Sequence, residues 1–336
     1  MQDLGKAHTM KDANNMRYKT LGNTGIQVSI AGFGVLTVGK TQLNLPEPEG
    51  AKVLRYALEA GINFIDTAQY YETYNYIRAA LKDTDLQPVI SSKCLSPARS
   101  AMKAAIEQAR RELDRDVIDI FLLHEVRSYE DFLGRAGAYE ELQEAKAKGI
   151  IRATGLSTHH VDVTEFASRE PGLDVVFPLI NLAGLGIRKG NGFGTADEMK
   201  AAIRLCKEAG KGVFAMKAFG GGNLTARYSE ALDYIYGIDE IDSLMIGLGK
   251  ISEVDMLLDY LSGRLPKGFA PDVSKKKIHI EDGNCEGCGA CAARCPNHAI
   301  SMIKKDGYTQ ARVDHSLCLT CGYCAPVCPV RAIILF

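Results

Sequence analysis

The sequence has almost no excess of either charge and contains no long hydrophobic run. Its 336 residues include 40 Lys and Arg and 41 Asp and Glu, which leaves a formal net charge of -1. A chain this close to neutrality has no general attraction for polyanions, so we expect no nucleic-acid partner. No stretch approaches the roughly 18 apolar residues of a membrane-spanning helix, so we expect no membrane insertion. The N-terminus also lacks the apolar core of a signal peptide.

Length and composition are those of a globular protein with about two domains. Hydrophobic residues make up 46% of the sequence and charged residues 24%. The polar, aperiodic start MQDLGKAHTMKDANNM predicts a disordered segment, and RLPKGFAPDVSKKK, rich in Pro, Gly and Lys, predicts a linker. The predicted organisation is a disordered segment at 1–16, a first domain at 17–263, a linker at 264–277 and a second domain at 278–336.

Short apolar strands alternate with amphipathic helices through the middle of the chain. A hairpin is predicted at 18–29 and a first strand near 30–36. The next strands read INFIDTA, PVISSK, VIDIFLLHE, IRATGLST, LDVVFPLIN, GVFAMKAF and SLMIGLG. Helices are predicted at 46–61 and near 72–83, 96–114, 138–148, 161–169, 195–209, 229–236 and 251–262.

Eight strand–helix units of this kind predict an α/β fold, a (β/α)8 TIM barrel. Strands that are apolar throughout are typical of a parallel sheet buried on both faces. A doubly wound open sheet is the alternative, but it rarely needs eight units. In a barrel the chemistry lies at the C-terminal ends of the strands, so the polar residues at those ends are the candidates for function.

Ten cysteines are present, and eight of them fall into two runs of the same spacing. CEGCGACAARCP begins at Cys285 and CLTCGYCAPVCP at Cys318, both C-x2-C-x2-C-x3-C-P. This spacing is typical of paired [4Fe-4S] clusters, in which the cysteine before the proline ligates the cluster of the other run. It predicts cluster 1 on Cys285, Cys288, Cys291 and Cys328, and cluster 2 on Cys318, Cys321, Cys324 and Cys295. The tight loops require positions without a Cβ, and Gly287, Gly289 and Gly322 supply them.

A disulfide framework and two structural zinc sites are the other interpretations of these runs. Zinc ribbons usually use C-x2-C pairs without a third cysteine at the same step, and disulfides are not expected where no export signal is seen. Residues 278–336 resemble a bacterial 2[4Fe-4S] ferredoxin, which implies a small α+β ferredoxin-like domain that moves single electrons. Such clusters need reducing conditions, so we expect a cytoplasmic protein. A redox partner protein is a further expected partner, because the clusters move single electrons.

Four polar residues with complementary chemistry follow three neighbouring strands. Asp66 and Tyr71 follow the second predicted strand, Lys93 ends the third and His124 ends the fourth. Because these strand ends meet at one mouth of a barrel, we expect the side chains to share a pocket. An ammonium held by a carboxylate is expected to lower the pKa of the Tyr71 phenol. Tyr71 would then give its proton to a carbonyl oxygen, with His124 as a second donor or an orienting group.

DTAQYYE, ISSK and VIDIFLLH resemble the motifs of the aldo-keto reductase family, in which the catalytic tyrosine comes five residues after an aspartate. Tyr71 fits that position and Tyr70 does not. YKTLGNTGIQVSIAGFG and GIIRATGLST are also similar to the family, and the resemblance covers about residues 17–262. It implies a TIM barrel with NAD(P)-linked activity on a small carbonyl or alcohol, and Asp66, Tyr71, Lys93 and His124 as its catalytic residues.

The sequence departs from the family where the nicotinamide is expected. Ser157 is retained, but Thr158 replaces an asparagine, Phe177 a glutamine, and Met216 an aromatic residue. Two glycine-rich loops, KAFGGGNLT and GLGKIS, predict a phosphate site, with a plain tight turn as the alternative for each. The predicted cofactor-binding residues are Ser157, Thr158, Met216, Lys217, Gly220, Gly221, Gly222, Asn223, Gly247, Gly249, Lys250 and Ser252.

The sequence leaves two functions open. In the first, NAD- or NADP-linked carbonyl and alcohol chemistry in the barrel is combined with electron transfer through two [4Fe-4S] clusters. In the second, an electron-transfer protein uses its barrel to bind a flavin or nucleotide, or to dock a partner, without carbonyl reductase turnover. A nicotinamide delivers two electrons together whereas a cluster accepts one, so a flavin is the converter to consider. The long segment after His124, EVRSYEDFLGRAGAY, predicts a lid or a docking surface with Arg127 and Tyr129 as contacts.

Overall fold

A computed structural model describes residues 16–40, 42–266, 268–272, 277–295, 298–305, 307–318, 324–325 and 327–335. Of the segment predicted to be disordered, only Met16 lies within these ranges, and it packs against the core. None of the helices in these ranges is long and apolar enough to cross a membrane.

Eight parallel strands close into the predicted barrel. In chain order the strands up to the end of the barrel are β1 (Tyr18–Thr20), β2 (Gln27–Ser29), β3 (Ala31–Gly34), β4 (Phe64–Asp66), β5 (Val89–Cys94), β6 (Ile118–Leu123), β7 (Ile151–Thr158), β8 (Val175–Pro178), β9 (Arg188–Lys189), β10 (Gly192–Phe193), β11 (Gly212–Met216) and β12 (Ser243–Gly247). The barrel order is β3-β4-β5-β6-β7-β8-β11-β12, with β12 pairing back to β3. The doubly wound alternative is therefore excluded.

Each predicted helix is present on the outside of the barrel. The helices are α1 (Glu47–Glu59), α2 (Tyr74–Leu81), α3 (Arg99–Leu113), α4 (Tyr129–Gly134), α5 (Ala136–Ala147), α6 (Val161–Arg169), α7 (Ala196–Glu208), α8 (Tyr228–Tyr236) and α9 (Ile251–Leu261). The short helix α4 and the antiparallel pair β9–β10 were not predicted, because both lie in connections between strand and helix.

Apolar side chains fill the barrel interior. Phe177 stacks on Phe214 with ring centres 4.2 Å apart, and Phe64 meets Phe214 edge-on at 5.0 Å. Leu21 and Val28, from the predicted N-terminal hairpin β1–β2, belong to the same cluster. A second and larger cluster lies between the barrel and its helices. Because the interior is packed, the polar chemistry has to lie at the mouth.

The C-terminal residues form a second, smaller module. Its elements are β13 (Ile278–Ile280), α10 (Ala290–Arg294), β14 (Ile300–Lys305), β15 (Tyr308–Val313) and β16 (Ile333–Leu335). β13 pairs with β16 and β14 with β15, both antiparallel. Its own core includes cysteines from both runs. In the predicted linker, Phe269 packs on the barrel and lies edge-on to Tyr228.

Candidate active site and iron-sulfur module

Lys93 and Asp66 form a buried ion pair at the ends of neighbouring strands. Nζ of Lys93 donates to both carboxylate oxygens of Asp66, at 2.8 and 2.7 Å, and to the carbonyl oxygen of Thr67 at 2.8 Å. Lys93 is 1% exposed and Asp66 5%. Three acceptors therefore hold the ammonium in one position, where its charge is balanced by a carboxylate in contact with it.

Tyr71 and His124 meet beside this pair. Tyr71 ends a short 3-10 helix that begins at Gln69, and Glu72 after it has a left-handed φ of 52°. The hydroxyl of Tyr71 is 3.4 Å from Nε2 of His124, and the two rings are edge-on. Nζ of Lys93 is 4.8 Å from the centre of the Tyr71 ring. The structure thus brings the four predicted catalytic residues into one pocket.

The electrostatics of Tyr71 differ from the prediction. Burial raises the pKa of Tyr71 well above its usual range, and nearby carboxylates, Asp66 first, raise this pKa further. The expectation that Lys93 would lower this pKa is wrong, because Asp66 neutralises the Lys93 charge. Burial also lowers the pKa of His124 well below its usual range, and Lys93 and other cations add to this. At neutral pH the pocket therefore holds a neutral phenol and a neutral imidazole.

Ser157 and Thr158, predicted to bind a cofactor, both use their hydroxyls within the fold. Oγ of Ser157 accepts a hydrogen bond of 2.8 Å from the backbone N–H of Glu125. Oγ1 of Thr158 donates to the carbonyl oxygen of Val126 at 2.6 Å. Both side chains are buried. They fasten the segment after β6 to the end of β7.

Two other departures from the family pattern lie next to the pocket. The Phe177 ring lies inside the barrel, with its centre 5.3 Å from Nζ of Lys93. Met216 is the last residue of β11, and Lys217 follows it with a left-handed φ of 63°. Phe177 therefore forms an apolar floor beneath Lys93.

The loop after β11 is an ordered turn that contacts the second module. Gly220, Gly221 and Gly222 have φ of 57°, 69° and 89°, a succession that side chains with a Cβ resist. The Asn223 amide donates to the Gly220 carbonyl oxygen at 2.8 Å. A Cβ added to Gly221 would lie 3.5 Å from the carbonyl oxygen of Ile333 in β16.

The loop after β12 leads directly into α9. The N–H of Gly249 donates to the Glu253 side chain at 2.7 Å, so a carboxylate of the helix's first turn uses one of the amides predicted to bind phosphate. Lys250 is the N-cap residue of α9 and is exposed. Ser252, in the first turn of the helix, is also exposed. A Cβ added to Gly247 would lie 1.9 Å from Oγ1 of Thr37, which explains the glycine by packing.

Four cysteine thiols line one cavity in the second module. They are those predicted for cluster 1, namely Cys285, Cys288, Cys291 and Cys328. Apart from these cysteines, the cavity is lined mainly by apolar side chains. Backbone N–H groups of Ala311 and Ala332 point at the sulfurs of Cys285 and Cys328, at 3.4 and 3.3 Å. Amide donors to the sulfurs and four converging thiols fit a [4Fe-4S] cluster.

The described cysteines do not form the disulfide framework that was one of the other interpretations, because each of them is a free thiol. Of the predicted cluster 2 ligands, Cys295, Cys318 and Cys324 belong to the module's core, whereas Cys321 and the neighbouring Gly322 lie outside the described residues. Gly287 and Gly289 have the positive φ that their loops were predicted to need.

The second module lies on the mouth of the barrel. Nη1 of Arg127, in the long segment after His124, contacts the Glu286 carboxylate at 3.2 Å. The predicted docking role of Arg127 is thereby confirmed, whereas Tyr129 packs against Phe166 of α6. The module also affects the pKa of Tyr71, because the carboxylate of Glu281 is among the causes that raise this pKa after burial. The pocket is thus bounded by the barrel below and the module above.

Sequence patterns gave no indication of Glu281 or Arg331 as residues of the pocket. Arg331 follows Cys328 by three residues and packs against Gly186, in the loop after β8. Its place depends on how the module docks, which cysteine spacing does not encode. In the sequence, Arg331 is marked out only by its position three residues after a predicted cluster ligand.

Family models match both parts of the chain. A model described as the Aldo/keto reductase family matches residues 31–259, and one described as a 4Fe-4S dicluster domain matches residues 278–335. L-galactose dehydrogenase of Arabidopsis thaliana is 23% identical over 288 residues, covering 70% of this chain and 85% of that protein. D-threo-aldose 1-dehydrogenase of a Pseudomonas species is 24% identical over 237 residues, covering 60% and 68% respectively.

Solved structures support the fold. A structure described as an aldo-keto reductase from Pseudomonas aeruginosa superposes with a TM-score of 0.66 at 22% identity, and the match covers 77% of this chain and 100% of that one. The first family model spans well over half of the sequence. The chain therefore belongs to the aldo/keto reductase family and continues, after its barrel, into a 4Fe-4S dicluster domain.

Proposed function

We propose that the barrel oxidises or reduces a small carbonyl or alcohol and exchanges electrons through two [4Fe-4S] clusters in the module on its mouth. The observation that carries this proposal is the convergence of Asp66, Lys93, Tyr71 and His124 in one pocket directly beneath the module. Bound NAD or NADP would supply the hydride chemistry of this pocket.

The protein's own residues supply the proton. Tyr71 is a neutral phenol at neutral pH and donates its proton to the carbonyl oxygen during reduction. His124, 3.4 Å from the Tyr71 hydroxyl, positions that hydroxyl and offers a second hydrogen bond. The Lys93–Asp66 ion pair holds the wall of the pocket beside the phenol, with Nζ of Lys93 4.8 Å from the centre of the Tyr71 ring.

In the same proposal each cluster is held by the four thiolates that the spacing assigns to it. Cluster 1 would be bound by Cys285, Cys288, Cys291 and Cys328, and cluster 2 by Cys318, Cys321, Cys324 and Cys295. Cluster 1 would lie beside the barrel, because Glu286, between its predicted ligands Cys285 and Cys288, contacts Arg127. Electrons would therefore pass between barrel and module through cluster 1, and exchange with a nicotinamide would need a converter such as a flavin, since a hydride carries two electrons and a cluster accepts one.

The test is the conservative variant Tyr71→Phe, which removes one hydroxyl. We expect turnover of a carbonyl substrate, found by screening aldehydes and ketones, to fall by a factor of about 100 or more, since the proton donor is lost. Cluster spectra and NADPH affinity are expected to stay as in the wild type. Tyr70→Phe is the matched control, because Tyr70 adjoins Tyr71 in the same 3-10 helix and points to the module. Full activity in Tyr71→Phe would refute this assignment.

A second candidate function is electron transfer with a flavin or nucleotide in the barrel and no carbonyl reductase turnover. Two observations favour this second function. The hydroxyls of Ser157 and Thr158 are engaged with backbone groups, and Gly221 faces the module. Anaerobic denaturation followed by a spectrum of the released material distinguishes the two. Released flavin, with rapid bleaching of the clusters by NADPH or NADH, would favour the second function. Tight NADPH binding without flavin and without bleaching would favour carbonyl chemistry uncoupled from the clusters.

A further inference from the structure

Arg331 and Lys217 lie at the boundary between the barrel and the module. Neither side-chain cation has a hydrogen-bond or ion-pair partner in the described part of the chain. Arg331 is 3% exposed, and neither Nη1 nor Nη2 has a hydrogen-bond partner within the described part of the chain. Lys217 is half-buried, and no hydrogen bond or ion pair joins its Nζ to any described residue. A buried guanidinium normally finds an anionic or carbonyl partner, because leaving its N–H groups unpaired is costly.

Arg331 belongs to the module, but its side chain reaches the barrel. A Cβ added to Gly186, in the loop after β8, would lie 2.1 Å from Cδ of Arg331. A Cβ added to Gly221, in the loop after β11, would lie 3.6 Å from Nη2 of the same side chain. The guanidinium therefore lies between two loops of the barrel mouth, with its forked donors unused.

Lys217 belongs to the barrel loop that lies against Arg331. It directly follows β11, and Gly221 of the same loop would place an added Cβ 3.6 Å from Nη2 of Arg331. The charge of Lys217 is among the causes, after burial, that lower the pKa of Lys93 and of His124. Burial is also the main cause that lowers the pKa of Lys217 itself, and Arg331 lowers it further, against the opposing effects of Glu281 and Glu125. Neither carboxylate contacts the Lys217 ammonium among the ion pairs of the described residues. Two cations thus lie at one loop, and neither is paired with an anion in the described part of the chain.

We infer that Lys217 and Arg331 together bind an oxyanion group of the substrate, a carboxylate or a phosphate. A guanidinium presents two parallel N–H groups that match two oxygens of such a group, and an adjacent ammonium adds a third donor. The substrate class is then an acid whose reacting carbonyl or alcohol lies toward Tyr71 and His124. Identifying this anion as part of the substrate rests on the proposed function, whereas the anion site itself does not.

A competing role for Arg331 is to balance the charge of cluster 1, since it follows the predicted ligand Cys328. That role needs no added anion and no help from Lys217. The two roles are separated by measuring anion binding and cluster potential on the same variants.

The experiment is isothermal titration of the intact, cluster-loaded protein with sodium oxamate and, separately, with inorganic phosphate, under anaerobic conditions at low salt. We expect saturable binding of at least one anion, weakened about tenfold or more in Arg331→Gln and in Lys217→Met. Arg188→Gln is the matched control, because Arg188 lies on the same loop as Gly186 but is already bonded to the Asn191 carbonyl oxygen and stacked on Phe193. Its affinity is expected to equal that of the wild type.

The outcomes separate this inference from the proposed function. Binding of oxamate alone supports a carboxylate substrate, and binding of phosphate alone supports a phosphorylated one. Absence of saturable binding, or an Arg331→Gln protein whose cluster potential shifts while its anion affinity is unchanged, would overturn the site. If Tyr71→Phe keeps full activity but the anion affinities behave as expected, the site stands and the catalytic proposal fails. Lys217→Met keeps the test decisive if Arg331→Gln destabilises the interface.

Discussion

At the scale of single residues, the candidate active-site pocket combines two uncharged side chains with an ion pair whose charges balance. Tyr71 and His124 are both uncharged at neutral pH, because burial acts on each in the direction that disfavours charge. Lys93 and Asp66 carry full charges that are in contact with each other, and these charges cancel. The Tyr71 phenol therefore still carries its proton at neutral pH and is able to donate it.

This state predicts a level pH profile for carbonyl reduction. The pKa of Tyr71 is raised by burial in the folded protein, so the proton-donating form persists throughout the pH range in which a free phenol keeps its proton. The pKa of His124 is lowered by burial, so the imidazole stays neutral wherever a free imidazole is neutral and gains a proton only in more acid solution. We expect kcat measured at saturating substrate to be flat between these limits. An inflection between them that Tyr71→Phe removes would show that the Tyr71 pKa is depressed after all.

The identity of the four pocket residues could be predicted from sequence, but their electrostatics could not. Asp66, Tyr71, Lys93 and His124 follow strands whose order in the barrel is fixed, so position along the chain fixes position at the mouth. The sign of a pKa shift depends on burial and on which charges are already paired. The Asp66–Lys93 contact cancels the field that the sequence argument assigned to Lys93 alone.

At the scale of secondary structure, strand and helix positions followed from periodicity, whereas the connections did not. β7 was predicted with its observed bounds, and seven of its eight residues are buried, as expected for a barrel strand covered on both faces. Helix α4 and the β9–β10 pair fall in polar connections without a periodic pattern. The hydroxyls at the end of β7 were predicted to bind a cofactor, but they also hold the chain after β6, a contact between neighbouring strands that sequence does not reveal.

This contact predicts that Ser157→Ala is destabilising. The partly buried N–H of Glu125 loses its acceptor, which is expected to cost about 1 kcal/mol of unfolding free energy. Thermal melts followed by circular dichroism under anaerobic conditions would measure the loss. Ser100→Ala is the control, because Ser100 is exposed on α3 and its replacement should change stability by less than about 0.5 kcal/mol. Weaker NADPH binding with unchanged stability would instead assign the Ser157 hydroxyl to the cofactor.

At the scale of the whole molecule, the contact between barrel and module depends on close packing more than on surface charge. The Arg127–Glu286 pair is about half exposed at both ends, so it adds little to the free energy of docking. Arg331, by contrast, is buried against Gly186, where no side chain would fit beside it.

We therefore expect Gly186→Ala to loosen the module. The added Cβ would lie 2.1 Å from Cδ of a buried side chain, so Arg331 has to move out of its place. Hydrogen–deuterium exchange should rise in peptides covering 217–224 and 331–334, which lie on the two sides of the contact. Gly190→Ala is the matched control: Gly190 is in the same connection and also has a positive φ, 51°, but nothing lies within 4 Å of its added Cβ. Equal exchange in the two variants would mean that Arg331 does not hold the module in place.

The packed interior of the barrel has a consequence for how reactants arrive. Phe64, Phe177 and Phe214 fill the space beneath Lys93, and the N-terminal hairpin covers the opposite end. Small molecules that reach the pocket must therefore enter and leave on the face that the second module also occupies. Under the proposed function, reactants and electrons would share this face, so the module would limit the size of the substrate. A bulky reactant would require the module to move aside, and its release would then limit the rate of turnover.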